Sequence, residues 1–200
     1  IDASYVMVET PPEELGDSFR KSLSAMRGFN VTIPHKINII RYLDELSPRA
    51  KLFGAVNTVD VGEDNIVGHN TDCAGFLSAL QMADIELGGN VLLLGSGGVA
   101  RMIAFEAILA EADLTIAVRE SGIPSAEKIK KEIKEKLNKD CKVISLSEAT
   151  GGYDLVINGT PVGMYPHMDA CPVSKDVVAT SKAAFDVIYN PQETVFLKYA

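Results

Sequence analysis

Cysteine is scarce in this chain, and the few cysteines present form no metal-binding or disulfide pattern. Cys73, Cys141 and Cys171 lie far apart, with neither a CxxC nor a Cys/His spacing. This sparse, odd count predicts reduced thiols in a cytoplasmic protein, and it argues against both a disulfide framework and a zinc site. We therefore expect no bound metal.

Long apolar runs, an excess of basic residues and an ATP-binding motif are also lacking. No apolar stretch approaches the roughly 18 residues of a membrane span, and the first residues are typical of a strand, not of a signal peptide. The net charge of −8 argues against a nucleic-acid-binding surface. The P-loop pattern GxxxxGKS/T does not occur. We therefore expect neither a membrane nor a nucleic acid as a partner, and either a monomer or a homodimer.

Strand and helix patterns alternate along the 200 residues, which predicts an α/β fold with a parallel sheet. In the first part, strands are expected at 3–9, 28–33, 53–61 and 65–70, and helices at 11–26, 34–46 and 71–87. The 34–46 helix would place Ile37, Ile40 and Leu43 on one face.

A second series of elements begins at Val91. Strands are expected at 91–95, 113–118, 141–146, 154–159 and 183–189, and helices at 97–112 and 125–139. The chain is thus expected to form two α/β domains, 1–80 and 81–200, with a cleft between them.

A glycine-rich turn follows the apolar strand that begins at Val91. Its residues are Gly95, Ser96, Gly97, Gly98, Val99 and Ala100. They fit G-x-G-x-x-A between a buried strand and a helix, which is the context of a dinucleotide-binding turn. Small residues let the backbone approach a pyrophosphate, whose charge meets the helix N-terminus. A tight turn without a ligand is the alternative.

The end of the next strand is where a dinucleotide's ribose would be bound. Arg119 and Glu120 lie there, close to the expected spacing of about 20 residues after the turn. An acidic side chain would bind the ribose hydroxyls of NAD, and an arginine would pair with the 2′-phosphate of NADP. These two residues alone leave the choice open.

Polar residues lie near the ends of three strand-like segments in the first part. Lys36 closes NVTIPHK (30–36), Asn57 lies in GAVNTV (54–59) and Asp72 lies in GHNTDCAGF (68–76). Hydride transfer to a ketone leaves an alkoxide that must be protonated, and a lysine can supply the proton. Taken singly, Lys36 also fits a solvated lysine, Asn57 a turn amide and Asp72 a helix N-cap.

Taken together, these segments resemble the shikimate dehydrogenase family of hydroxy-acid oxidoreductases. The family motifs N-V-T-x-P-x-K and N-T-D are matched in order, as are N-x-T-x-x-G-M at 158–164 and D-V-I-Y at 186–189. The resemblance implies an N-terminal substrate-binding domain and a Rossmann-type dinucleotide-binding domain. It also implies reversible reduction of 3-dehydroshikimate to shikimate with NADPH, a step of aromatic amino-acid biosynthesis through chorismate.

Five site residues follow from this resemblance. Lys36 would protonate the alkoxide, and Asp72 would position or tune Lys36. Thr32, Asn57 and Tyr189 would hold the hydroxyl groups of the substrate.

The cofactor contacts follow in the same way. Thr160 and Val187 would lie beside the nicotinamide. The family's ribose-reading strand commonly ends in Asn-Arg-Thr, with its arginine on the 2′-phosphate. Here Arg119 is kept but Glu120 replaces the threonine, so NADP is expected while NAD stays possible.

Two family segments have no counterpart between the first and last residues. A Ser-x-Ser segment that holds the substrate carboxylate would precede Ile1, and a Gln-bearing helix would follow Ala200, so the chain is expected to be a fragment. Two rival functions also stay open: an NAD-preferring quinate/shikimate dehydrogenase, and a non-catalytic sensor that binds a dinucleotide or a shikimate-like ligand.

Overall fold

The computed structural model describes residues 4–23, 26–32 and 34–200. The chain divides into two compact units, Ile1–Ala74 and Gly75–Ala200. Residues 24–25 of the expected first helix and the motif residue Ile33 lie outside the described residues. Each unit contains its own sheet.

The first unit is built on a four-stranded mixed sheet. Its strands are β1 (Gly28–Asn30), β2 (Glu45–Leu46), β3 (Thr58–Val61) and β4 (Ile66–His69). Their order is β1-β3-β4-β2, with β2 parallel to β4 and the other pairs antiparallel. The expected hairpin joins β3 to β4, where the Gly62 N–H donates to the Asn65 carbonyl at 3.0 Å.

Two short α-helices pack with this sheet: α1 (Leu15–Leu23) and α2 (Pro48–Phe53). Helix α2 is bounded by local chemistry, because the Ser47 hydroxyl accepts from the Ala50 N–H at its start and Gly54 ends it at a positive φ of 61°. A core of aliphatic residues and one aromatic residue fills the unit: Leu15, Phe19, Val31, Ile39, Ala50, Val56 and Val59.

The expected α-helix over 34–46 is wrong. The segment forms a 3₁₀-helix, Asn38–Tyr42, and leaves it at Leu43 in an extended conformation. The buried side chain is Ile39, at 1% exposure, whereas Ile37 on the expected face is 69% exposed. Three closely spaced isoleucines have low helix propensity, so packing of Ile39 into the core decides the local geometry.

The expected strand at 3–9 is also not found, since the described residues from Ser4 onward carry no strand there. Tyr5 and Met7 are 79% and 95% exposed. A strand exists only through hydrogen bonds to a second segment, and an alternating pattern cannot supply that partner.

The second unit contains a five-stranded parallel sheet, which confirms the predicted α/β class. Its strands are β5 (Asn90–Leu94), β6 (Asp113–Val118), β7 (Lys142–Ser145), β8 (Leu155–Asn158) and β9 (Ala183–Asp186). The order is β7-β6-β5-β8-β9. The strand order reverses at β5. In open parallel sheets, ligands bind in the crevice beside such a reversal, at the carboxyl ends of the strands.

Helices accompany these strands in the order expected of βα units. They are α3 (Asp72–Met82), which continues from the first unit, then α4 (Gly98–Leu109), α5 (Ile123–Leu137), α6 (Lys175–Ala179) and α7 (Val195–Lys198). Strand β5 is buried from Val91 to Leu94, as a central parallel strand must be. In the described part of the chain, no helix is both long and apolar enough to cross a bilayer.

Candidate active site

An ion pair between Lys36 and Asp72 lies at the centre of the polar residues of the first unit. The Lys36 Nζ donates to the Asp72 Oδ2 at 2.7 Å, and the two side chains are 31% and 39% exposed. Lys36 lies in the turn before the 3₁₀-helix, and its carbonyl accepts from the Val56 N–H at 2.8 Å. Asp72 is the first residue of α3. The ammonium group is therefore held in place while part of its surface stays open to a ligand.

Asn57 holds the other oxygen of the same carboxylate. Its Nδ2 donates to the Asp72 Oδ1 at 2.7 Å and to the Thr71 Oγ1 at 3.0 Å. Its Oδ1 accepts from the Thr71 backbone N–H at 2.9 Å and from the Thr58 hydroxyl at 3.0 Å. A backbone N–H can only donate, so this contact fixes the amide oxygen and turns the amide nitrogen toward Asp72. Asn57, only 8% exposed, thus clamps the carboxylate.

Just before α3 lies Asn70, a residue that the sequence pattern alone did not single out. The Asn70 Oδ1 accepts from the Asp72 N–H at 3.2 Å, and its Nδ2 donates to the Ala55 carbonyl at 3.1 Å. An asparagine two residues before a helix start is typical of an Asx-turn, and that pattern in HNTD was the available signal. Asn70 fixes the backbone that carries Asp72.

Two further side chains brace the loop around Asn57. The Asn30 Nδ2 donates to the Thr58 Oγ1 at 3.2 Å, and the Tyr5 hydroxyl donates to the Asn30 Oδ1 at 3.3 Å. Thr32, predicted to bind substrate, is exposed, and its carbonyl accepts from the His35 N–H at 2.9 Å. This bond places Thr32 close to His35, the residue before Lys36.

The glycine-rich turn of the second unit follows β5 and leads into α4. Gly95 has a φ of 105°, and a Cβ there would lie 2.9 Å from the Thr160 Cγ2. At Gly97 and Gly98 a Cβ would meet nothing within 4 Å, so the space in front of them is open. Gly97 caps α4 without a side-chain hydrogen bond, which leaves the first N–H groups of the helix for an anion. The turn fits a pyrophosphate.

Arg119 and Glu120 follow the end of β6 at Val118. Arg119 has extended backbone, and Glu120 begins a 3₁₀-helix, Glu120–Gly122. A Cβ on Gly122 would lie 3.6 Å from the Ser96 Oγ, so this segment packs against the glycine-rich turn. Both charged side chains are exposed, and both residues lie near the turn. Their positions alone therefore do not distinguish an NADP site from an NAD site.

The remaining predicted residues lie in loops after β8 and β9. Thr160 is half-buried, and its hydroxyl donates to the Asn158 Oδ1 at 2.7 Å. Val187 follows β9, and its N–H donates to the Asn158 carbonyl at 3.2 Å. Tyr189 is 90% exposed. Thr160 and Val187 therefore lie together at the carboxyl edge of the sheet.

Two cysteine side chains outside this set of residues have raised pKa values. Burial, reinforced by the nearby charge of Asp140, raises the pKa of the Cys141 thiol from 9.0 to about 11. Burial also raises the pKa of Cys171. Within the described residues, no group of three or more histidine, cysteine or acidic side chains could hold a metal ion.

The chain is similar in sequence to proteins of one known family. A family model described as the shikimate dehydrogenase substrate binding domain matches residues 1–59. The shikimate dehydrogenase (NADP(+)) of Methanocaldococcus jannaschii is 42% identical over 207 residues, covering 98% of this chain and 71% of the relative. The protein of the same name from Methanococcus maripaludis is 43% identical over 178 residues, covering 87% of this chain and 63% of the relative.

A solved structure shows the same likeness in three dimensions. A crystal structure of a shikimate dehydrogenase in complex with NADP+ matches with a TM-score of 0.86 and 39% identity, covering 96% of this chain and 68% of that chain. The chain thus spans between 63% and 71% of the length of the proteins that it matches here. At these identities over nearly its whole length, the chain belongs to the shikimate dehydrogenase family.

Proposed function

We propose that the protein carrying this chain reduces 3-dehydroshikimate reversibly to shikimate with NADPH, within aromatic amino-acid biosynthesis. The observation that supports this most directly is the Lys36–Asp72 ion pair at 2.7 Å, held in turn by Asn57. A lysine ammonium that is fixed by a carboxylate yet about one-third exposed suits a proton donor to a bound substrate.

The proposed chemistry assigns one proton to Lys36. NADPH, when bound, supplies the hydride that reduces the substrate carbonyl, and negative charge then develops on the carbonyl oxygen. The Lys36 Nζ donates a proton to that oxygen, and in the reverse direction the neutral amine accepts it. Asp72 holds the amine in position throughout, because its second oxygen is tied to Asn57.

The proposed substrate ligands come from the first unit and from the loop after β9. Thr32 is exposed, and its hydroxyl would hydrogen-bond a ring hydroxyl of the substrate. Asn57 would have to exchange one of its hydrogen bonds for a substrate hydroxyl, since both functions of its amide are engaged. Tyr189 has an exposed phenol, which suits a hydroxyl contact.

The cofactor contacts are proposed in the second unit. The six residues from Gly95 to Ala100 would hold the pyrophosphate at the N-terminus of α4. Arg119 would pair with the 2′-phosphate of NADP. Thr160 and Val187 would lie beside the nicotinamide.

A second candidate is an NAD-preferring dehydrogenase that oxidises quinate as well as shikimate. Glu120 favours it, because this carboxylate directly follows Arg119 at the end of β6, and a carboxylate there would accept from the ribose hydroxyls of NAD and repel a 2′-phosphate.

For the setting, we propose the cytoplasm, since Cys141 and Cys171 are free thiols and reduced cysteines are typical of that compartment.

The test is steady-state oxidation of shikimate and of quinate by the full-length protein, with NADP and NAD in parallel. Turnover of shikimate with a kcat/KM at least tenfold higher for NADP than for NAD supports the main proposal. A preference for NAD or for quinate moves the protein to the second candidate. Tight dinucleotide binding without turnover of either acid contradicts both and leaves a sensor.

A further inference from the structure

A polar network joins the ends of β8 and β9 in the second unit, and Asp186 lies at its centre. The Asp186 Oδ1 accepts from the Asn158 Nδ2 at 3.1 Å and from the Ile188 N–H at 3.0 Å. Its Oδ2 accepts from the Thr194 Oγ1 at 2.6 Å. Asn158 and Thr194 are 0% and 1% exposed. One carboxylate thus ties together a buried amide, the β9 loop and the residue that caps α7.

Asn158, which is held by Asp186, also hydrogen-bonds the loop after β8. Its Oδ1 accepts from both the N–H and the hydroxyl of Thr160, at 3.0 and 2.7 Å. Its Nδ2 also donates to the Val162 carbonyl at 3.3 Å. Because the Asp186 carboxylate can only accept, it fixes the amide nitrogen of Asn158 on its own side and the amide oxygen toward Thr160.

Thr160 in turn packs on the glycine-rich turn. A Cβ on Gly95 would lie 2.9 Å from the Thr160 Cγ2 and 3.2 Å from the Gly159 carbonyl oxygen. Hydrogen bonds and packing therefore run from Asp186 through Asn158 and Thr160 to Gly95. All of these residues lie at the carboxyl edge of the parallel sheet, where ligands of such sheets bind.

Strand order assigns this network to one half of a dinucleotide. Arg119 follows β6, which lies on one side of β5, whereas β8 and β9 lie on the other side. A dinucleotide whose pyrophosphate rests at the turn after β5 has its adenosine on the β6 side and its other nucleoside on the β8 side.

We propose that Asp186 is the positioning residue for the nicotinamide side of the dinucleotide site. It holds the loops after β8 and β9 through Asn158, Ile188 and Thr194, and it does not itself contact the adenosine half. This inference rests on the proposed function, since it assumes that the second unit binds a dinucleotide.

The test compares two ligands on Asp186→Ala in the full-length protein. NADP is the first probe, and adenosine 2′,5′-bisphosphate, which lacks the nicotinamide half, is the second. Loss of three hydrogen bonds to a carboxylate should weaken NADP binding by roughly tenfold or more and lower kcat at saturating NADP. Affinity for the bisphosphate should stay within about twofold of wild type. Asp186→Asn, which keeps the shape and part of the hydrogen bonding, should recover part of both losses.

Two further variants keep the result interpretable. Asp113→Ala removes an aspartate at the opposite, amino-terminal edge of the sheet, where it pairs with Lys142, and should change neither affinity. Should Asp186→Ala fail to fold, Thr194→Val deletes the 2.6 Å bond to the carboxylate and should give the same pattern in weaker form.

Several outcomes would overturn the inference. Wild-type NADP affinity and kcat in the Asp186 variants, or equal loss of both ligands, would show that the network does not act on the nicotinamide side. If the wild-type protein turns over shikimate and the Asp186 variants have the same NADP affinity and kcat, only this inference is refuted. A wild-type protein that binds neither ligand sinks the proposed function as well.

Discussion

Replacing Lys36 by methionine should separate catalysis from stability. The ion pair with Asp72 is short, at 2.7 Å, but both side chains are about one-third exposed. Ion pairs in such surroundings contribute about 0–1 kcal/mol to the free energy of unfolding. For a chain of this size, that corresponds to a fall in Tm of no more than about 2–4 °C.

The same substitution removes the proposed proton donor. General acid–base groups contribute about 10²–10⁴-fold to rate, so kcat for shikimate oxidation should fall by at least about 100-fold. Affinity for NADP should not change, because Lys36 belongs to the first unit and the glycine-rich turn to the second. The measurements are steady-state kcat and KM, NADP affinity by fluorescence titration, and thermal unfolding.

Two control variants sharpen this experiment. Lys36→Arg keeps a positive charge beside Asp72, but a guanidinium does not give up its proton in proteins, so it should restore Tm without restoring kcat. Lys142→Met removes a lysine that pairs with Asp113 at 3.3 Å far along the chain, and should leave kcat unchanged. A Lys36→Met protein that keeps more than a tenth of wild-type kcat would refute the assignment of Lys36 as the proton donor.

Three other predictions follow from the structure. Asn57→Ala removes the clamp on the Asp72 Oδ1 and should lower kcat by roughly 10–100-fold without changing NADP affinity by titration; an unchanged kcat would show that the clamp is dispensable. Arg119→Ala should lower kcat/KM for NADP relative to NAD, and Glu120→Thr should raise it, as measured with both cofactors; identical ratios would remove these residues from cofactor choice. The pKa of Cys141 is raised from 9.0 to about 11 in the folded protein, so the unfolded chain loses this proton first and stability should fall as pH rises from about 9 to 11. Cys141→Ala should flatten that part of a Tm-against-pH curve, and an unaltered slope would contradict the assignment.

The sequence carried most of the information about the second unit. A continuous apolar strand before a glycine-rich turn predicts a buried parallel strand, and β5 is such a strand. The alternation of strands and helices predicts the parallel sheet, which is confirmed. These features can be predicted because the spacing of apolar residues and the choice of turn residues are set within a single helix, strand or turn.

Prediction was weaker in the first unit, where elements are short and depend on their neighbours. The apolar spacing of Ile37, Ile40 and Leu43 suggested an α-helix, but burial of Ile39 produced a 3₁₀-helix instead. The alternating residues at 3–9 suggested a strand that the described residues do not form. In both cases the conformation depends on contacts with residues distant along the chain. A local sequence pattern carries no information about such contacts.

For the site, the sequence by itself determined which residue types were available and on which loops they lie. It named Lys36, Asn57 and Asp72 through the resemblance to a family, and their roles stay predictions. Only the tertiary structure decided which atoms meet: the Asn57 amide turned toward the Asp72 Oδ1, and the Asp186 carboxylate tied to Asn158. Hydrogen-bond direction depends on donors brought together by folding, and for that reason the clamp on Asp72 and the Asp186 network became visible only in three dimensions.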